Sequence, residues 1–187
     1  MNGPGIPERL AIIVGINRYE AEEKIPTLYG AENDAKEIMK GLTTVADFQV
    51  PNNYFLIGKN ATYRAIIKAI SDVFRRTLDN KLVLFYFSGH GILDENNEGY
   101  LAPYDTDPDD PYICGIKIEE FRDVINKSKN NATVLAVFDC CYSGIATRGT
   151  RDISQLQTKN MYAIQVKKLV ESPQQENPLI SGRGKIR

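Results

Sequence analysis

The chain has 187 residues, 42% hydrophobic and 25% charged, with 23 basic and 24 acidic side chains and a net charge of −1. That length supports one globular domain with a sizeable core, and the balanced charge argues against a nucleic-acid or membrane-surface binder, which carries a basic excess. No apolar run approaches the roughly 18 residues of a membrane-spanning helix, and the N-terminal MNGPGIPERL lacks a secretory layout, so a cytoplasmic protein is expected.

Leu10-Ala11-Ile12-Ile13-Val14-Gly15 is a continuous apolar run with β-branched residues, which predicts a buried strand. Ala31, Ala35, Ile38, Met39 and Leu42 recur at helical spacing and predict a helix over Ala31–Gly41, stopped at Gly41 or just after it. Tyr54–Ile57 predicts a short strand closed by Gly58. Thr62 is placed to cap a helix whose apolar face is Ala65, Ile66, Ala69, Ile70, Val73, Phe74 and Leu78.

Lys81–Phe87 is the clearest buried strand, expected to stop at Ser88-Gly89-His90-Gly91. After a polar loop and Tyr100–Pro103, Ile118–Lys127 predicts an amphipathic helix with Ile118, Phe121, Val124 and Ile125 inward. Ala132–Phe138 predicts a second strong strand, stopping at Asp139. Beyond about Ser154 the pattern weakens. Gln157–Val170 is expected to hold a helix, and the polar, Pro- and Gly-containing remainder a linker. Strands alternating with crossover-length helical segments predict an α/β fold. It has a mainly parallel central sheet and helices on both faces, a three-layer sandwich with functional residues at the carboxyl ends of the strands.

Two segments stand out at those ends, Ser88-Gly89-His90-Gly91 and Asp139-Cys140-Cys141-Tyr142-Ser143-Gly144. The chain has a single histidine, His90. An imidazole beside a thiol lowers the thiol pKa and shuttles its proton, as nucleophilic catalysis requires. The flanking glycines give a substrate backbone room to approach and leave the Gly91 N–H available to an oxyanion. A lone histidine or cysteine is more often structural than catalytic. The placement of both after the two strongest strands shifts the balance, although it leaves Cys140 and Cys141 both open as nucleophile. A zinc site fails on ligand count, since adjacent cysteines cannot supply two well-separated ligands.

Phe87-Ser88-Gly89-His90-Gly91 and Asp139-Cys140-Cys141-Tyr142-Ser143-Gly144 resemble the two motifs of the caspase-like (clan CD, C14) cysteine peptidases, most closely the metacaspases and orthocaspases. The resemblance runs from Leu10 to about Gly144 and corresponds to the large, p20-like catalytic part. The His90-to-Cys141 gap of 51 residues is close to the separation of about 50 in caspase-type enzymes.

The resemblance implies a His90/Cys141 dyad, with Gly91 and Cys141 backbone N–H groups as the oxyanion site. It also implies an S1 pocket formed by Asp34, Ser88 and Asp139 that accepts arginine or lysine. Carboxylates there pair with a guanidinium through charge-assisted bonds. Read without the resemblance, Asp34 is a first-turn helix aspartate and Asp139 a strand-end cap. The departure from the metacaspase pattern is Tyr142, where the family usually carries histidine.

No cofactor is required by this chemistry. Calcium is a candidate at Asp105, within the acidic loop Tyr104–Asp110, because hard cations take such oxygen ligands. Residues 1–150 are expected to form the p20-like domain, and 151–187 a linker or processing region leading to a p10-like part. Only 46 residues follow Cys141. Self-cleavage at a basic site between Arg148 and Arg187, with the small fragment staying associated, is a further expectation. The alternatives are a catalytically silent caspase-like interaction module and a partner-activated protease of a defence system.

Overall fold

A computed structural model of the protein describes residues 9–75, 81–94, 96, 98–119, 121, 123 and 132–140, and the backbone of 141–142 and 160–167. The strands are β1 (Arg9–Gly15), β2 (Phe55–Ile57), β3 (Leu82–Leu93), β4 (Gly99–Leu101), β5 (Ile116–Lys117), β6 (Thr133–Tyr142) and β7 (Asn160–Lys167). The helices are α1 (Ala31–Thr44), α2 (Tyr63–Phe74) and the single turn α3 (Pro111–Cys114). Ile118, Glu119, Phe121 and Asp123 are helical, where a helix was expected, and its remaining positions lie outside the described residues.

The strands form one sheet centred on β3. β1, β2, β3 and β6 are mutually parallel, whereas β4, β5 and β7 are antiparallel to their neighbours. Gly91 pairs with Tyr142 on one side and Leu101 on the other, so β4 continues the edge of β3 begun by β1.

Alternation along the strands divides the core into two layers. Leu10, Ile12, Val14, Phe85, Phe87, Phe138 and Cys140 pack on one face against Ile66, Ala69, Ile70 and Val73 of α2. Ala11, Ile13, Leu84 and Tyr86 pack on the other face with Ala35 of α1. Helices therefore cover both faces, the expected three-layer arrangement.

Local chemistry sets the helix ends. Thr62 Oγ1 accepts the Ala65 N–H at 3.2 Å, and Asp105 Oδ1 accepts the Tyr63 N–H at 2.7 Å, so two side chains satisfy donors in the first turn of α2. At α1, Asn17 and Glu32 exchange backbone-to-side-chain bonds at 3.2 and 3.3 Å, tying the helix start to the segment after β1. α1 runs through Gly41 to Thr44, because its other residues favour continuation and one exposed glycine costs only about 1 kcal/mol.

The close seating of α1 depends on Gly15. A Cβ there would stand 2.6 Å from Ala35 Cβ and 2.8 Å from the Ala31 carbonyl. Gly15→Ala is expected to lower stability by about 1–3 kcal/mol in urea denaturation, because helix backbone must move off the sheet.

Three expectations are corrected. β3 and β6 do not stop before their motifs. They continue in unbroken register through His90↔Cys141 and Gly91↔Tyr142, since each supplies the other's ladder partners. The histidine and cysteine segments are thus paired strand rather than loops. Third, Gln157–Val170 contains strand β7, antiparallel to β6, instead of a helix. Tyr162, Ile164 and Val166 alternate with period two, and a neighbouring strand edge rewards that pattern. Part of the presumed linker 151–187 therefore belongs to the sheet.

Candidate active site

The site forms where β3 and β6 run side by side. Ser88 is in register with Asp139, Gly89 with Cys140, and His90 with Cys141. Adjacent strands lie about 4.8 Å apart, so the backbones at positions 90 and 141 are direct neighbours. Parity then separates the two cysteines. Cys140 falls with Phe138 in the α2-side core and is 1% exposed. Position 141 has the opposite parity, shared with Asp139, and its register partner His90 has the parity of Ser88 and Tyr86.

His90 is 4% exposed, and its Nε2 lies 2.7 Å from the Pro26 carbonyl oxygen. A carbonyl only accepts, so Nε2 carries the hydrogen of the neutral ring and Nδ1 is the basic nitrogen. The His90 backbone N–H donates to Tyr19 Oη at 2.7 Å, and the two rings lie 5.3 Å apart. Tyr19 reaches this position because residue 89 has no side chain. A Cβ on Gly89 would sit 2.8 Å from the Tyr19 hydroxyl oxygen. Burial raises the Tyr19 pKa, more than its bond to His90 lowers it, so the ring stays neutral.

Burial pulls the His90 pKa below its ordinary 6.5, and the Pro26 bond only partly opposes this. The folded state therefore holds fewer protons than the unfolded state just below pH 6.5. Stability supplied by neutral His90 is full above 6.5 and falls as pH drops through the folded pKa. Because the chain has one histidine, NMR titration of its imidazole reads this group directly and is expected to give a midpoint below 6.5.

The His90 carbonyl accepts the Ala102 N–H at 3.0 Å, on the β4 side. Successive strand residues point their backbone groups to opposite edges, which directs the Gly91 N–H toward β6, where the register places it in the ladder beside position 141.

Beside the paired strands lies a pocket of about 110 Å³, lined among others by Leu28, Tyr29, Gly30, Asp34, Ser88 and Asp139. The three residues named for an S1 pocket thus line one cavity, although they come from α1, β3 and β6. Tyr86, on β3, interacts with all three. Burial pushes its hydroxyl up to about 12; a bond with Ser88 lowers it, and the charges of Asp139 and Asp34 raise it further. One hydroxyl therefore senses both carboxylates.

Asp105, the calcium candidate, serves as the α2 cap described above. In the same loop, Lys24 Nζ lies 2.7 Å from Asp109 Oδ2 and 3.6 Å from Asp107 Oδ1. These carboxylates bond protein groups, and no metal-holding cluster of three or more acidic, His or Cys side chains exists among the described residues. Ser143, Gly144, Arg148 and Arg187 lie outside the described residues, and among those described no helix is long and apolar enough to cross a membrane.

Sequence reasoning missed Pro26, Tyr19 and Tyr86. Pro26 acts through its backbone, which no side-chain pattern reveals. Tyr19 lies 71 positions from His90, with no motif linking the two.

The caspase domain family of peptidases (C14) matches residues 8–180. Metacaspase-7 of Arabidopsis thaliana is 24% identical over 148 residues, covering 72% of this chain and 34% of the relative. The chain thus spans about a third of the length of that curated relative. The crystal structure of protein GSU0716 from Geobacter sulfurreducens superposes with a TM-score of 0.59 at 22% identity, over 74% of this chain and 52% of that one, a likeness of fold. With its family match extending over most of its length and a histidine strand paired to a cysteine strand, the chain belongs to the caspase-domain family of cysteine peptidases.

Proposed function

We propose that this chain is the catalytic part of a cysteine endopeptidase that cleaves peptide bonds after arginine or lysine. The observation that carries the reading is the β3·β6 register. It sets position 141 beside His90 while the neighbouring pair, Ser88 and Asp139, opens onto a pocket with two carboxylates.

In the proposed reaction, His90 Nδ1 takes the Cys141 thiol proton and the thiolate attacks the scissile carbonyl carbon. The Gly91 and Cys141 N–H groups, which the β3·β6 register holds in the ladder, stabilise the resulting oxyanion once that end of the ladder opens to the substrate. On collapse the C–N bond breaks, and imidazolium returns its proton to the leaving amine. Water then attacks the thioester, with His90 again as base, and releases the acid. Pro26 holds the imidazole in the tautomer that this sequence needs. Asp34 and Asp139 receive the basic P1 side chain, with Ser88 between strand and ligand.

The proposed chemistry requires no cofactor, and calcium at the Asp105 loop would act outside the bond-breaking steps. The proposed partners are protein substrates and a p10-like fragment that stays associated after self-cleavage at a basic site between Arg148 and Arg187. A fluorogenic panel with Arg, Lys, Asp and neutral P1 residues, with and without calcium, tests the reading. Turnover is expected for Arg and Lys alone, in both conditions. Preference for Asp or a neutral residue would overturn it.

A further inference from the structure

We propose that Tyr29 is a specificity residue that makes the pocket favour arginine over lysine by stacking its ring on the guanidinium. This rests on the proposed reading of Asp34, Ser88 and Asp139 as the P1 pocket. Tyr29 lines that pocket yet is 91% exposed, so the residue is covered by almost none of its own protein. Its backbone is held from both sides. The Leu28 N–H donates to the Asn17 carbonyl at 2.8 Å, and the Gly30 carbonyl accepts the Asp34 N–H at 2.8 Å.

The adjacent Gly30 has no Cβ, and one built there would meet Asp34 Oδ2 at 3.4 Å. The Asp34 carboxylate therefore lies against the residue next to the ring. The pocket presents carboxylates from Asp34 and Asp139, and Tyr29 stands at its rim.

A basic side chain entering between them meets acceptors at its end and a π-face along its length. The two basic residues differ in what they make of this. A guanidinium is planar, weakly hydrated and stacks face-on on aromatic rings, so it bonds the carboxylates in its plane and the ring on its face. An ammonium is a compact, strongly hydrated charge that gains little from the ring. For an exposed ring the contact is worth about two- to fivefold in kcat/KM.

The experiment compares kcat/KM for matched Arg and Lys peptides in the full chain, Tyr29→Ala and Tyr29→Phe. The expected result is a two- to fivefold fall in the Arg/Lys ratio in Tyr29→Ala, mainly through a higher KM for Arg, with the ratio retained in Tyr29→Phe. An unchanged ratio in Tyr29→Ala overturns the role of Tyr29 while leaving the pocket reading intact. An equal fall in Tyr29→Phe overturns stacking in favour of the hydroxyl. If the unsubstituted chain cleaves neither substrate, the pocket reading fails and the role of Tyr29 falls with it. Exposure of Tyr29 makes misfolding an unsuitable explanation for a changed ratio, and circular dichroism of both variants checks this.

Discussion

Cys141→Ala is expected to abolish hydrolysis of an Arg-P1 fluorogenic peptide, while Cys140→Ala keeps most of it. Without a nucleophile only the oxyanion donors and the pocket remain, and losses of this kind run on the order of 10⁴- to 10⁶-fold in kcat. The neighbouring thiol cannot substitute, because strand parity commits Cys140 to the core beside Phe138. Cys140→Ala removes one buried sulfur and costs about 1 kcal/mol of stability. Its kcat should stay within a few-fold of the unsubstituted chain once folding is confirmed. Comparable losses in both variants, or activity surviving in Cys141→Ala, would remove the assignment.

Asp139→Ala is expected to give the second-largest effect, on substrate choice. Asp139 is half-buried, in register with Ser88 and close enough to the Tyr86 hydroxyl to raise its pKa. Removing one member of a desolvated charge pair costs about 2–4 kcal/mol, roughly 30- to 1,000-fold in kcat/KM for an Arg substrate. The same variant should hydrolyse a small activated thioester or ester, which lacks a P1 cation, at a nearly unchanged rate. That contrast separates a lost charge partner from a disturbed strand: damage to β6 would lower both. Asp34→Ala should move in the same direction through the α1 side of the pocket.

Much of this was legible in the sequence, for physical reasons that also explain the misses. Leu10–Gly15, Lys81–Phe87 and Ala132–Phe138 announce themselves because a strand buried on both faces needs an apolar run. The capping role of Thr62 follows from side-chain chemistry alone. The strand ends were misjudged because Ser88-Gly89-His90-Gly91 has turn composition. Pairing with β6 is a tertiary effect that outweighs local preference. The strand β7 escapes a sequence reading because its alternation is short and blurred by apolar Met161 and Ala163, and only the neighbouring edge makes it decisive. At the site, His90 stood out as the only histidine. The choice of Cys141 came from motif resemblance, and the observed register now supplies an independent parity argument. Pro26 lay beyond reach because a carbonyl oxygen is common to every residue.

The segment between β1 and α1 carries more than one duty. Tyr19 and Pro26 hold the backbone and ring of His90, and two to four residues after Pro26, Leu28, Tyr29 and Gly30 wall the pocket. Under the proposed function, a side chain settling in the pocket presses on the same stretch of backbone that aims the imidazole. Recognition and proton transfer are then two ends of one lever. A poorly fitting P1 residue should be penalised in turnover as well as in affinity, and truncating that residue should lower kcat and not merely raise KM.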